Sequence, residues 1–311
     1  MTDTVLAVDV GGTKLAAGLV DREGRVRRAS RVPTPAGDED IVWAALLGLV
    51  SDVVGEATVD AVGVGCGGPM RWPAGEVSPL NIPGWRGFPL RARLAEVFPG
   101  VPVRVHNDAV CLAVAEHWRG AARNHDDMLG MVVSTGVGGG LVLGGHLVDG
   151  RTGNAGHVGH VVVDPDGPAC SCGGRGCLEA VASGPRVAAW ARAQGWSGGT
   201  TARELATDAA AGNPVAVAAL RRAGRAVGVA VASVAALCDI SVVVVGGGLA
   251  QAGPLLFDPL HEALRLHAAM DFTRDVTVLS AGLSQEAGLV GAAALVLAGD
   301  RYWSVRDDLT D

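Results

Sequence analysis

The sequence predicts an α/β protein built of two related halves, and three observations carry that prediction. Apolar runs of strand length end repeatedly in glycine pairs or triplets, they alternate with helical stretches rich in Ala, Leu and Val, and a strand-turn-strand pattern at the start recurs near residue 127. "TVLAVDVGGTKLAAGLVDREGRV" reads as strand, glycine turn, strand, turn, because Gly11-Gly12 and "DREG" cut the apolar runs. A helix starting near Asp38 to Asp40 runs through "IVWAALLGLVSDVVGE". The strand "VDAVGVGCGGP", the Pro-rich loop "SPLNIPGW", a helix near 89–98, the strand "VPVRVHND" and the helix "AVCLAVAEHWRG" follow. The second half opens with "DMLGMVVSTGVGGGLVLGGHLVDG". At an offset of 128, Gly11-Gly12 falls on Gly139-Gly140 and Leu19-Val20-Asp21 on Leu147-Val148-Asp149, which reads as an internal repeat. Helices are then expected over 184–194 and 200–238, followed by the strand "ISVVVVGGG", the helix "FDPLHEALRLHAA", the strand "VTVLSA" and a final helix, "EAGLVGAAALVLAG". The halves read as a small α/β lobe over 1–120, which the C-terminal helix could complete, and a large α/β lobe over 121–311. Two equivalent glycine hairpins suggest that each lobe presents a loop to a shared cleft.

Composition narrows the function. A chain of 311 residues with 49% hydrophobic side chains can bury a large core. A net charge of -7 and a pI near 5.6 argue against nucleic-acid binding, which needs clustered Lys and Arg to neutralise phosphates. The apolar start is interrupted by Asp9 and a glycine pair and does not read as a signal peptide, so a cytoplasmic protein is expected. "AVGVAVASVAALC", 226–238, is too short to span a bilayer and reads as a buried core helix. Cys66, Cys111 and Cys238 stand alone in apolar contexts as small core residues, whereas Cys170, Cys172 and Cys177 crowd together as metal ligands do.

The motifs point to phosphate and hydroxyl chemistry. In "DVGGTK" a strand delivers Asp9 to a turn whose glycines, Gly11 and Gly12, let backbone N–H groups approach an anion, with Thr13 and Lys14 as further donors. Asp9 could hold Mg²⁺ through water or merely cap the turn. "STGVGGG", from Ser134 and Thr135 through Gly136 and Gly138, offers a second anion-binding turn. "VVVVGGGLA" offers a third at Gly246, Gly247 and Gly248, and three such turns at strand ends suggest a nucleotide cleft. In "VRVHNDAV", Asn107 and Asp108 stand where a strand passes into a helix. Asp108 as general base with Asn107 on neighbouring hydroxyls is one reading, and helix capping is the other. His160, Cys170, Cys172 and Cys177 follow H-x9-C-x-C-x4-C, four N/S ligands that describe a closed tetrahedral zinc site, and Glu179 stands just past the last ligand.

"DVGGTK", "HNDAVCLAVAE", "GHVGH", "CSCGGRGCLE" and "EAGLVGAAAL", in that order, resemble the ROK family of bacterial sugar kinases and related repressors, and most closely its glucokinases. The resemblance spans nearly the whole chain. It implies a two-lobed actin-like ATPase (ribonuclease H-like) fold with an internal duplication and a structural zinc loop, taking a hexose and MgATP in the cleft. It makes Asp9 to Lys14 and Ser134 to Gly138 phosphate loops, places Gly246 to Gly248 beside the adenosine, and makes Asp108 the base for the sugar 6-hydroxyl. Asn107, His160 and Glu179 become sugar ligands, with Gly68 and Asn81 lining the pocket, and a homodimer or higher homo-oligomer is implied. Where family kinases usually carry E-x-G-H, this chain reads His157-Val158-Gly159-His160, and a histidine offers one donor and one acceptor in place of a fixed anion. Sugar choice therefore turns on His157. Glucose is the first expectation, beside mannose, fructose, allose or N-acetylmannosamine, and polyphosphate stays open as a donor. A repressor of the family would need an N-terminal helix-turn-helix, for which the first strand leaves no room, and a non-sugar ATPase would not explain Asn107-Asp108 together with the zinc loop.

Overall fold

Strands and helices of the first half form where the apolar pattern places them. A computed structural model describes residues 4–283 and 286–305. β1 (Thr4–Val10), β2 (Lys14–Asp21) and β3 (Val26–Pro33) form an antiparallel meander, and α1 (Glu39–Val54) follows. The Asp38 side chain caps α1 by accepting from the Ile41 amide, and Glu39 and Asp40 favour the same helix end. β4 (Ala61–Cys66), a short hairpin of β5 (Met70–Arg71) and β6 (Glu76–Val77), α2 (Leu90–Val97), β7 (Val103–Asn107) and α3 (Asp108–Trp118) complete the run. The first sheet has the order β3-β2-β1-β4-β7, with β1, β4 and β7 parallel.

The second half repeats this order. β8 (Met128–Val133), β9 (Val137–Leu143) and β10 (His146–Leu147) lead to α4 (Leu178–Ala182), α5 (Gly184–Ala193), α6 (Ala202–Ala210) and α7 (Pro214–Cys238). β11 (Val242–Gly246), α8 (Pro254–His267), α9 (Asp271–Arg274), β12 (Thr277–Ser280) and α10 (Ala287–Leu297) follow. The sheet order is β10-β9-β8-β11-β12, with β8, β11 and β12 parallel, so each sheet is ordered third, second, first, fourth, fifth in its own strands.

Two expectations need correction. The duplication is real in topology, but the offset of 128 misaligns it: the turn after β8 is Ser134–Gly136, whereas Gly139 and Gly140 lie inside β9. Those glycines serve packing, since a Cβ at Gly139 would stand 2.7 Å from the Gly130 carbonyl and one at Gly140 would stand 2.9 Å from the Ala113 methyl. The helix expected over 200–238 is two helices. Asn213 accepts from the Val215 and Ala216 amides and Pro214 occupies the first turn, so a new helix starts there.

The chain divides into two compact units that interleave in sequence. The first takes residues up to Asp126, Gly140–Ala155 and those from Gly282 onward; the second takes Asp127–Gly139 and Gly156–Ala281. In the first unit, alternation along β1 sends Leu6, Val8 and Val10 to a core shared with α1, and Val5 and Ala7 to a core shared with α3 and α10. Each fully buried Leu or Val there contributes roughly 1.5–3 kcal/mol. Gly291 lets α10 rest directly on α3, because a Cβ would meet the Cys111 carbonyl at 1.7 Å. In the second unit, α7 packs against α8 and buries the small residues of its middle, as expected for 226–238. Among the described residues no helix is long and apolar enough to cross a membrane.

Candidate functional site

Register brings the acidic residues of the first unit to one edge. Asp9 pairs with Gly65 across β1 and β4, and Cys66 pairs with Asn107 across β4 and β7, so Asp9 and Asp108 stand at the carboxyl ends of parallel strands. That edge is where open α/β sheets hold ligands. Burial and the neighbouring Asp108 charge push the Asp9 carboxyl up to about 6, partly offset by Lys14 and Arg31. Burial likewise raises the Asp108 carboxyl, against the stabilising Ala109 amide. Two carboxylates held close in reduced solvent resist carrying full charge together, which is the setting of a proton acceptor and of a cation-holding group.

The turn between β1 and β2 is pinned from inside. Gly11 N–H donates to the Lys14 carbonyl, the Gly11 carbonyl accepts from the Thr34 hydroxyl at 2.6 Å, and Thr34 N–H donates to the Thr13 carbonyl. The Gly11 amide is therefore committed, and among the described residues the amides of Gly12 and Thr13 carry no hydrogen bond. Gly12 lies against Asn81, whose Cβ would be 2.2 Å from any Cβ at position 12. Leu80 N–H donates to the Gly68 carbonyl and ties the "SPLNIPGW" loop to the end of β4. Asp9, Gly11 to Lys14, Gly68, Asn81, Asn107 and Asp108 thus gather in one unit.

Capping and chemistry divide between Asn107 and Asp108. Asn107 is the N-cap of α3, its Oδ1 accepting from the Ala109 amide at 3.0 Å, which leaves Nδ2 as its donor. Asp108 Oδ1 accepts from the same amide at 2.8 Å, and Oδ2 lies 4.0 Å from where a Cβ on Gly67 would stand. One oxygen orients the carboxylate and the other is presented beside a residue without a side chain.

In the second unit the glycine turns adjoin. Gly246 pairs with Val132, Gly247 lies against the Val133 backbone at a φ of +96°, and a Cβ at Gly248 would be 3.6 Å from Ser134 Oγ. Ser134, Thr135 and Gly136 form the turn after β8, whereas Gly138 falls inside β9 and outside the loop expected to hold it. Glu179 Oε2 accepts from the Val137 amide at 2.9 Å, so this carboxylate braces the second turn from the start of α4. His157 and His160 stack with ring centroids 5.5 Å apart, and burial holds the His157 imidazolium less stable than usual, with Glu179 opposing.

The ligand quartet fits zinc. The candidate donor atoms of His160, Cys170, Cys172 and Cys177 all lie within 4.8 Å of one another, with Cys172 Sγ 3.7 Å from Cys177 Sγ and Cys170 Sγ 3.8 Å from His160 Nδ1. Donors at about 2.3 Å from a tetrahedral centre stand roughly 3.8 Å apart. The wrapping is local: Cys170 N–H donates to the Gly174 carbonyl, Gly176 N–H to the Pro168 carbonyl, and Gly176 holds a φ of +68° that glycine tolerates.

Two residues escaped the sequence reading. Asp9 pairs with Ala16 and Ala16 with Arg31, which puts Arg31 in one row with Asp9 across a methyl group. Gly288, in the first turn of α10, would place a Cβ 2.9 Å from Asp9 Oδ2. Neither has a local signal, although Gly288 lies within the "EAGLVGAAAL" motif.

Known proteins are similar to this chain over nearly its whole length. The family described as "ROK family" matches residues 5–298. A glucokinase of Streptomyces coelicolor is 36% identical over 307 residues, covering 93% of this chain and 96% of its own. An N-acetylmannosamine kinase of Citrobacter koseri is 39% identical over 300 residues, covering 96% of this chain and 100% of its own. The crystal structure of a ROK family glucokinase from Streptomyces griseus in complex with glucose and AMPPNP matches with a TM-score of 0.83 and 35% identity, covering 95% of this chain and 100% of that one. The fold is accordingly the actin-like ATPase fold expected from the sequence. With a family match from β1 to the end of α10 and relatives similar over nearly their full length, the chain belongs to the ROK family.

Proposed function

We propose that the chain is an ATP-dependent hexose kinase that phosphorylates the sugar 6-hydroxyl. The observation that carries this reading is the pairing of Asp9 and Asp108 at the carboxyl edge of the first sheet, beside a pinned glycine turn and a fixed Asn107 amide. The bond from Pγ to the β-phosphate oxygen breaks as the O6–Pγ bond forms, and the O6 proton passes to Asp108 Oδ2. In the first unit the amides of Gly12 and Thr13, with Lys14, would stabilise phosphate oxygens; in the second the amides of Thr135 and Gly136 would do so, and Gly246 to Gly248 would lie beside the nucleoside. Asp9 is the residue that would hold Mg²⁺, which supplies counter-charge to the phosphates when bound. Zinc would sit on His160, Cys170, Cys172 and Cys177 as a structural clamp, holding His157, His160 and Glu179 as the second unit's sugar contacts, and Gly68 and Asn81 are the sugar contacts proposed for the first unit.

Glucose is the proposed acceptor, because relatives named glucokinase match over nearly the whole chain and one was crystallised with glucose and AMPPNP. N-acetylmannosamine is the second reading, favoured by the 39% identical relative of that name. The test is a coupled ADP-release assay with ATP, and with polyphosphate as alternative donor, against glucose, mannose, fructose, allose and N-acetylmannosamine. Saturable turnover with one or more hexoses supports the reading, and ADP release that no sugar stimulates refutes it. His157→Glu should shift the ratio of kcat/KM between two accepted sugars by about 10-fold, as expected for a changed hydrogen-bonding partner.

A further inference from the structure

We propose that His106 is a positioning residue for the base Asp108, held in one tautomer by Asp149 and by Ser304 of the C-terminal segment. The proposal rests on the kinase reading for its catalytic meaning and on the following hydrogen bonds for its geometry. Asn107 N–H donates to His106 Nδ1 at 2.8 Å, so Nδ1 carries no proton and Nε2 does. Nε2 then donates to Asp149 Oδ1 at 3.0 Å, and Asp149 Oδ2 accepts from Ser304 Oγ at 2.7 Å. The imidazole and the carboxylate are 1% and 6% exposed, so water cannot readily replace either bond. His106 is the last residue before the N-cap of α3, and its Nδ1 fixes the peptide from which Asn107 and Asp108 project.

The same C-terminal segment also reaches the far end of α3. The His125 carbonyl can only accept, so His117 Nε2 donates to it at 2.8 Å and His117 Nδ1 accepts from the Tyr302 hydroxyl at 2.6 Å. Trp303 lies edge-on to Trp72 at 5.7 Å, Trp72 stands 6.2 Å from the His106 ring, and the Arg104 guanidinium covers Trp303 at 5.4 Å. Tyr302 and Ser304 therefore bracket α3 through His117 at one end and His106 at the other. The base-bearing helix is held by residues almost two hundred positions downstream.

The test separates the two nitrogens. In the full chain, His106→Asn keeps an acceptor near the place of Nδ1 but cannot reach Asp149, whereas His106→Gln reaches Asp149 but leaves the Asn107 amide without its acceptor. Positioning predicts that kcat falls about 100-fold in His106→Gln and about 10-fold in His106→Asn, with sugar and ATP KM within about 3-fold of wild type. Ser304→Ala, which removes a partly exposed bond, should lower kcat about 3-fold. Amide hydrogen exchange at Asn107 and Ala109 should rise in the same order. Equal kcat loss in both His106 variants, or a lowered melting temperature with unchanged kcat, overturns the proposal. If the wild type phosphorylates no hexose, the kinase reading fails separately and exchange decides the geometry: unchanged exchange at Asn107 and Ala109 overturns it in that case too.

Discussion

The two sheets share a strand order and differ in what stands at the carboxyl ends of their strands. In the first unit those ends carry Asp9 and Asp108, two carboxylates that burial makes harder to ionise, Asp9 also through the Asp108 charge. In the second they carry hydroxyls and bare backbone, Ser134 to Gly136 and Gly246 to Gly248, and the titratable groups arrive from a loop wrapped on four metal-type ligands. One topology thus supports two kinds of site. The first stores electrostatic cost at two buried carboxylates, and the second stores order in a short loop closed by its own backbone hydrogen bonds.

Breaking the first site should have the largest effect. Asp108→Asn removes the proposed proton acceptor but keeps size and a capping oxygen, so kcat for phosphoryl transfer should fall about 10³-fold, roughly 4 kcal/mol, while sugar binding measured by calorimetry persists. If the mutant failed to fold, the capping role would be the important one. Breaking the second site should act on structure before chemistry. Cys177→Ser should abolish stoichiometric zinc by elemental analysis and destabilise the chain by at least about 3 kcal/mol in denaturant titration, and excess zinc should not restore it.

The electrostatic cost at Asp9 can be measured directly. Burial and the Asp108 charge push its carboxyl up to about 6, above the ordinary carboxylate range of about 4, so the folded state favours the protonated form and the penalty is present above pH 6. As pH falls through about 6 toward 4 the penalty is relieved. Asp9→Asn should therefore stabilise the Mg²⁺-free protein more at pH 7.5 than at pH 4.5, by at most about 3 kcal/mol, because the carboxylate keeps some solvent contact. Activity runs the other way: kcat/KM should be lost as pH falls through about 6, reporting the carboxylate pair in the free enzyme. A flat acid limb down to pH 5 would count against the pairing. A smaller change is expected at Gly288→Ala. The new methyl pushes on Asp9 Oδ2 from 2.9 Å, which should lower kcat/KM about 5-fold by displacing that carboxylate, with Asp108 chemistry otherwise intact.

Much of this was legible in sequence because its causes are local. Strand-length runs ended by glycine placed β1, β4, β8 and β11; Asp38 marks a helix start by capping, whereas the start at Asn213-Pro214 lies inside a stretch that reads as one helix over 200–238; and crowded cysteines with one histidine are a metal set at any fold. The repeat was visible and its register was not. Glycine pairs serve turns in one copy and close packing in the other, and only the strand pairing distinguishes them. Glu179 reads as a free carboxylate in sequence, yet one oxygen is engaged by the Val137 amide across a turn that lies forty residues upstream.

What the sequence determined by itself is the inventory: an α/β chain with duplicated strand order, phosphate-type turns, an Asn-Asp pair at a strand end, a closed zinc-type quartet, and membership of a kinase-bearing family. Tertiary structure alone decided which of those groups face one another. Asp9 meets Asp108 through the register of three parallel strands, Gly288 meets Asp9 because α10 returns to the first unit, and Asp149 meets His106 across 43 residues and Ser304 across 155. The reason is physical. Propensity, capping and ligand chemistry act within a few residues of one another, whereas charge coupling, tautomer and burial depend on distances that only packing sets.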